Sequence, residues 1–260
     1  MLEEIRETLH LCLHLTRRNW VVYKKDFIAN IAPTAFEPIF LMLSLGVGLG
    51  YFVAEIDGRT YIAYIAPGLA VSTALFTAFF ESSYGFYVRM TFENIFKAML
   101  TTPIGVREVI LGEYFWVAIK GGLMFGLLSA GFACFGLVKN PAYLLLMPIV
   151  GALVALPCGA LGLLATSYVR NINQFQTVYA FFISPLFYFS GIFFPLKQMP
   201  PGLRQFAEFL PLSHGVALSQ ALFWDESPSR AFLIHGSALV IFSLFFCTWA
   251  YYRIRGKLQS

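Results

Sequence analysis

Six stretches of this chain, at about 31–53, 61–88, 109–138, 142–169, 175–196 and 231–252, are apolar runs long enough to cross a bilayer, which takes roughly 20 helical residues. In hydrocarbon every backbone N–H and C=O needs a partner, and isolated apolar runs satisfy that within themselves only as helices. The expected fold is an all-α integral membrane protein with six transmembrane helices. Composition agrees, since 58% of the 260 residues are hydrophobic and 12% are charged. That charge is about half of what a soluble domain carries.

Polar punctuation joins the runs. AEIDGRT links the first two, KNP the third and fourth, and RNINQ the fourth and fifth, all turn-forming compositions. Pro67, Pro148, Pro157 and Pro185 are expected kink sites, because proline removes a helical hydrogen bond. Small residues recur at every fourth position in Gly46 and Gly50, in Gly122 and Gly126, and in Gly151, Ala155 and Gly159. That spacing lets helices approach closely in lipid.

Residues 1–30 precede the first run. LHLCLHL is too short and too polar for a cleavable signal. Leu2, Ile5, Leu9, Cys12 and Leu13 fall on one helical face and Glu3, Arg6, Glu7 and His10 on another, with Arg17, Arg18, Lys24 and Lys25 around Trp20. An amphipathic helix lying in the membrane interface is expected. Lys and Arg number twelve on the side holding the N-terminus, the 89–108 loop, Arg170 and the basic tail 253–260, against five on the other. The richer side is expected to be cytoplasmic, with both termini inside. On the outer side, MPPGLRQFAEFL and PLSHGVALSQALFW between Lys197 and Arg230 read as two short re-entrant helices before the last run. Leu203, Phe206 and Leu210 share one face of the first.

The net charge of +4 is small and dispersed, which argues against a nucleic-acid partner. Cys12, Cys134, Cys158 and Cys247 lack metal or redox spacing. His10, His14, His214 and His235 lie far apart in sequence and read as surface or interfacial groups, and no serine sits in a GxSxG setting. No GxxxxGK[ST] phosphate loop occurs either, so the chain reads as a non-enzyme with no cofactor of its own.

The loop RMTFENIFKAMLTTPIGVRE interrupts the apolar chain. Phe92, Phe96, Met99 and Leu100 form one helical stripe, Glu93 and Lys97 an i, i+4 ion pair, and Pro103 a stop after Thr101 and Thr102. Two readings fit: a helix resting on the bilayer, or one that inserts its apolar stripe into a cleft of a soluble partner. FESSYGFYVRM, FKAMLTTP and EVILGEYFWVAIKG, together with RRNWVVYKK, YIAPGLAVSTA and FFPLKQMPPGLRQFAEFLPLSHGVAL, resemble in the same order the type ABC-2 permeases. Within these they are most similar to the permeases of nodulation-factor and lipooligosaccharide exporters, the nodulation protein J group. The resemblance implies a six-span unit over 31–252 and a second copy of the same chain. It implies two ATP-binding cassette ATPase partners carrying ATP and Mg²⁺, gripped through a coupling helix at 92–103. It also implies outward movement of an amphiphilic or lipid-linked oligosaccharide across a bacterial inner membrane. A drug or lipid exporter of the same architecture is the alternative, and an ion-coupled carrier a more distant one.

Charges inside the spans are functional candidates, because lipid burial of a charge is costly. Glu81 and Lys120 fall at similar depths, about 12 and 16 Å along consecutive helices, and are expected to pair. Glu113 and Glu37 sit near the inner interface, within reach of the basic N-terminal helix or a substrate head group. Tyr84, Phe86, Tyr87, Phe181, Phe182 and Tyr188 are candidate channel-lining rings, an expectation taken from the resemblance and from the stacking of rings on sugar faces.

Overall fold

The computed structural model describes residues 2–53 and 55–259, with side chains described for 6–53 and 55–257. The side chains of Leu2, Glu3 and Ile5 lie outside the described residues. Helix α1 (Leu2–Lys25) is followed by α2 (Phe27–Gly48), then by α3 (Tyr61–Phe80), which continues through a π-turn (Glu81–Gly85) into α4 (Phe86–Thr91). After the short α5 (Ile95–Met99) come the long α6 (Val106–Cys134) and α7 (Met147–Tyr168). Next are α8 (Gln174–Val178), a second π-turn and α9 (Ser184–Tyr188). Helices α10 (Pro201–Phe209) and α11 (Pro211–Phe223) precede α12 (Pro228–Ala231), a third π-turn and α13 (Ser237–Gln259).

Five helical stretches among the described residues are long and apolar enough to cross a membrane: Phe27–Gly48, Tyr61–Thr91, Val106–Cys134, Met147–Tyr168 and Pro228–Lys257. The expected crossing at 175–196 is shorter than its apolar composition suggests. Helical structure there ends at Tyr188, giving about 22 Å over 174–188 at the standard rise. Beyond it Gly191 adopts a left-handed conformation at φ +84°. The Tyr64 hydroxyl donates to the Gly191 carbonyl at 3.1 Å and the Tyr61 hydroxyl to that of Phe193 at 3.4 Å. Non-helical backbone is tolerable at this depth when protein groups satisfy it, and two tyrosines from α3 do so.

Other boundaries move for local reasons. Pro148 lies in the first turn of α7, where a missing N–H is harmless; Pro185 follows directly on the π-turn inside the continuous helical stretch 174–188, and Pro67 and Pro157 sit inside α3 and α7, joined by Pro33 and Pro38 in α2. The tail at 253–260 continues α13 through Gln259, and Lys257 caps α7 by donating to the carbonyls of Thr166 and Val169 at 2.9 and 2.6 Å.

Helix α3 forms the centre: Ile65, Leu69, Ala70, Val71, Ala74, Leu75 and Phe79 are all buried. Around it stand α2, α6, α7 and α11. The small residues set the spacing. A Cβ on Gly121 would overlap the Ala155 Cβ, and one on Gly122 would lie 2.5 Å from the Pro148 carbonyl oxygen. Large apolar side chains instead face outward on α2 (Phe36, Phe40, Val47) and α13 (Ile241, Leu244, Phe245), which is stable only where the surroundings are themselves apolar.

Candidate functional site

Helices α1, α3–α4 and α6 meet around five charged side chains, Arg18, Glu81, Arg89, Glu113 and Lys120. Arg89 donates to Glu81 Oε1 at 2.8 Å and to Glu113 Oε2 at 2.7 Å. Lys120 Nζ lies 2.6 Å from Glu81 Oε2, so the pair expected from helix depth is present, but as part of a larger network. From α1, Asn19 donates to Glu113 Oε1 at 3.0 Å and Arg18 approaches the same oxygen at 3.7 Å. Glu113 is almost wholly buried, with 3% of its side chain exposed, so these partners are what permit its charge there.

The backbone explains how Arg89 reaches so far. Glu81, Gly85 and Arg89 are four residues apart on one helical face, and Gly85 has no side chain to block the guanidinium; a Cβ there would sit 3.4 Å from it. Glu81 opens the π-turn. Ser82 and Ser83 donate their hydroxyls to the Ala78 and Phe79 carbonyls at 2.6 Å each, a back-bonding that loosens regular helix. The Thr166 hydroxyl of α7 lies 3.2 Å from each of the Ser82 and Ser83 carbonyl oxygens and 3.0 Å from that of Gly162 in its own helix, three acceptors for one proton. Gly162 makes room, since a Cβ there would collide with Ser82 Oγ. π-turns of this kind concentrate at functional sites.

Helix α1 packs on α6 through Thr8, Cys12, Thr16 and Asn19. The Thr8 hydroxyl donates to Glu108 Oε1 at 3.1 Å, and that of Thr16 donates to the Cys12 carbonyl of its own helix at 2.9 Å while lying 3.5 Å from the Gly112 carbonyl oxygen. Cys12, assigned from sequence to the membrane-facing stripe, is therefore turned inward, whereas Leu9 and Leu13 remain more than half exposed. Burial, and then the Glu108 carboxylate, push the Cys12 thiol up to about 11. Burial, and then the Glu81 carboxylate, push the Tyr23 phenol up to about 12.

The loop differs from its expected form. Asn94 takes a left-handed conformation, so the helix begins at Ile95 rather than at Phe92, and the apolar stripe is split. Phe96 is fully buried in this chain, its ring 4.6 Å from that of Phe86. It is a core anchor and not a group held out to a partner. Phe92 is 62% exposed, and Glu93, Lys97, Thr101, Thr102 and Pro103 are exposed beside it, with Met99 and Leu100 half-buried. Arg18 Nη1 lies 3.6 Å from Met99 Sδ, joining this loop to the charge network.

Two adjoining cavities flank the network, of about 640 Å³ beneath α1 and about 470 Å³ between α2, α3 and α9. Both are lined by Glu81, Tyr84, Gly85 and Lys120. Tyr84, Tyr188 and the exposed Glu37 face the second. Phe86 and Tyr87 do not line an open path. Phe86 is fully buried against Phe96, and the Tyr87 hydroxyl donates to the Arg170 carbonyl at 2.9 Å. Phe181 and Phe182 line a separate apolar groove with Phe206, Phe209 and Trp249. His214 and His235, far apart in sequence and read there as surface or interfacial groups, meet with their Nδ1 atoms 3.0 Å apart.

Sequence reasoning passes over Arg89 and Arg18 as site residues because positive charges at span ends are ordinarily counted as interfacial. The Glu81–Gly85–Arg89 spacing is the signal that could have found the first of them.

The ABC-2 type transporter family model matches residues 10–224. The chain is 32% identical over 230 residues to a nodulation protein J of Rhizobium leguminosarum bv. viciae, covering 88% of each. It is 30% identical over 228 residues to that of Sinorhizobium fredii, covering 88% of this chain and 86% of the relative. To the inner membrane transport permease YadH of Escherichia coli it is 20% identical, with 75% of each covered. A family match over most of the length, on a chain with five helices long and apolar enough to cross a membrane, decides the matter: this chain belongs to the ABC-2 type transporter family.

Proposed function

We propose that the chain is the membrane-spanning half of an ATP-driven exporter. Two copies pair, and each is held at its 92–103 loop by one ATP-binding cassette ATPase that carries ATP and Mg²⁺. Cargo is the amphiphilic or lipid-linked oligosaccharide implied by similarity to the nodulation protein J relatives, moved outward across the inner membrane with both termini cytoplasmic.

The observation that carries this reading is the two-sided build of the loop. Phe96 fixes it to the core from within while Phe92, Glu93 and Lys97 are left outward. A contact pressed on that outward face reaches Met99, then Arg18, then Glu113 and Arg89, and so both α4 and α6. Chains of packed and ion-paired groups of this kind carry coupling between distant sites.

The two phenylalanines separate docking from folding. Phe92→Asp is expected to abolish co-purification of the ATPase while leaving the permease's melting temperature unchanged. Phe96→Asp is expected to lower that temperature, since it places a charge in the core. A Phe92→Asp permease that still retains its ATPase would refute the docking role of this face.

A further inference from the structure

Where α11 meets the start of the last crossing, His214 and His235 hold their Nδ1 atoms 3.0 Å apart and their ring centroids 5.3 Å apart. A centroid separation that much longer than the nitrogen separation means that each Nδ1 points along the line joining the rings, straight at the other. This in-line approach suits one proton held between two nitrogens. A metal ion on the same line would need about 2 Å to each nitrogen, and the gap is too short for that. His214 lies in the first turn of α11, and His235 in the third π-turn, Phe232–Gly236, which leads into α13. The contact therefore ties a short helix to an irregular turn, of the kind that concentrates at functional sites.

Both rings are half-buried, with the Phe242 ring 6.1 Å from that of His214 and Phe209 packed on Phe242. Among the described residues no carboxylate forms an ion pair with either imidazole. On the neighbouring elements, Arg204 and Glu208 of α10 pair with each other, Glu226 pairs with Arg59, and Asp225 accepts from Tyr143. Arg230 of α12 is exposed. In α3 the titratable groups are Tyr61 and Tyr64, which donate to the Phe193 and Gly191 carbonyls, and in α7 they are Cys158 and Tyr168. Those of α13 begin at Cys247, about 18 Å along the helix from His235.

Such a pair titrates as a unit. With both rings neutral, one Nδ1–H donates to the bare Nδ1 of the other. One added proton keeps that bond and makes it charge-assisted. A second gives each Nδ1 a hydrogen, removes the acceptor and sets two positive charges in contact. His214, which lies outside the five crossing stretches, is held below the ordinary histidine range by burial and then by His235. A group so depressed binds fewer protons folded than unfolded, so its contribution to stability is present above pH about 6.5 and lost as the pH falls.

We infer that His214 and His235 form a latch between α11 and the last crossing, closed by one shared proton and opened by acid on the side of the molecule opposite the basic tail. It needs neither an ATPase nor cargo, so it stands or falls apart from the export reading.

The test uses the purified full-length permease alone, in detergent. His235→Asn sets an amide in place of the Nδ1 edge; its oxygen accepts from His214 even when that ring is charged, and it takes up no proton itself. Between pH about 7.5 and about 5, where histidine titrates, the wild-type melting temperature is expected to fall by about 2–4 °C more than that of His235→Asn. His214→Asn, the reciprocal replacement, should behave as His235→Asn does. His10→Asn, at the separate ring contact with His14, should keep the full wild-type fall. Opening itself is read from spin labels on Gln205→Cys in α10 and Ser229→Cys in α12, both exposed, with the native cysteines replaced by alanine. Their separation should lengthen in acid and recover at neutral pH, and with His235→Asn added it should stay fixed. Equal acid-induced falls with and without His235→Asn would overturn the latch, as would a label separation that does not respond to pH.

Discussion

Without the Arg89 guanidinium, Glu81 would keep only Lys120, and Glu113 would keep Asn19 and a more distant Arg18. Glu113 is the more exposed to the loss in energetic terms because it is the more deeply buried. Removing one partner of a buried ion pair destabilises by about 3–5 kcal/mol. Arg89→Ala is therefore expected to lower the permease's thermal midpoint in detergent markedly, while Arg107→Ala, at an exposed position with no ion pair to a described carboxylate, changes it little. The Glu81–Lys120 contact should show in a double-mutant cycle. Glu81→Gln and Lys120→Gln together are expected to destabilise less than the sum of the two alone, by about 1 kcal/mol or more, and simple additivity would remove the pair from the network.

The π-turn between α3 and α4 is held open from outside. The Thr166 hydroxyl lies 3.2 Å from each of the Ser82 and Ser83 carbonyl oxygens, an approach that Gly162 permits by bringing α7 against α3. A Cβ at Gly162 would meet the Phe79 carbonyl at 2.8 Å as well as Ser82 Oγ. Backbone cannot yield as a flexible side chain does, so Gly162→Ala is expected to destabilise the protein by about 1–3 kcal/mol. It should also shift Glu81 relative to Lys120. Gly131, where an added Cβ would have no atom within 4 Å, supplies the control: Gly131→Ala should be neutral or slightly stabilising, as alanine favours helix. Equal melting temperatures for the two variants would show that α3 and α7 do not depend on this close approach.

Sidedness joins these parts into a device, and it has a direct test. With the four native cysteines replaced by alanine, Thr101→Cys in the loop should resist a membrane-impermeant maleimide added to intact cells, and Glu55→Cys in the α2–α3 turn should react. Labelling of Thr101→Cys from outside would place the loop on the wrong side for an ATPase and end the export reading. The sequence alone settled that the chain is helical and membrane-spanning, where five of its crossings lie, and that a polar loop interrupts the second and third. Those properties depend on runs of about 20 contiguous residues, so neighbours in the chain suffice to fix them. Tertiary structure decided the rest. The apolar run at 175–196 gives up its helix at Tyr188 because tyrosines of α3, more than 120 positions earlier, satisfy its backbone. Phe96 turns inward because Phe86 waits there, Cys12 because α6 does, and Arg89 upward because Glu81 and Glu113 converge on it. Each of these depends on which helix faces meet, and hydropathy, which averages over every face of a helix, carries no record of that.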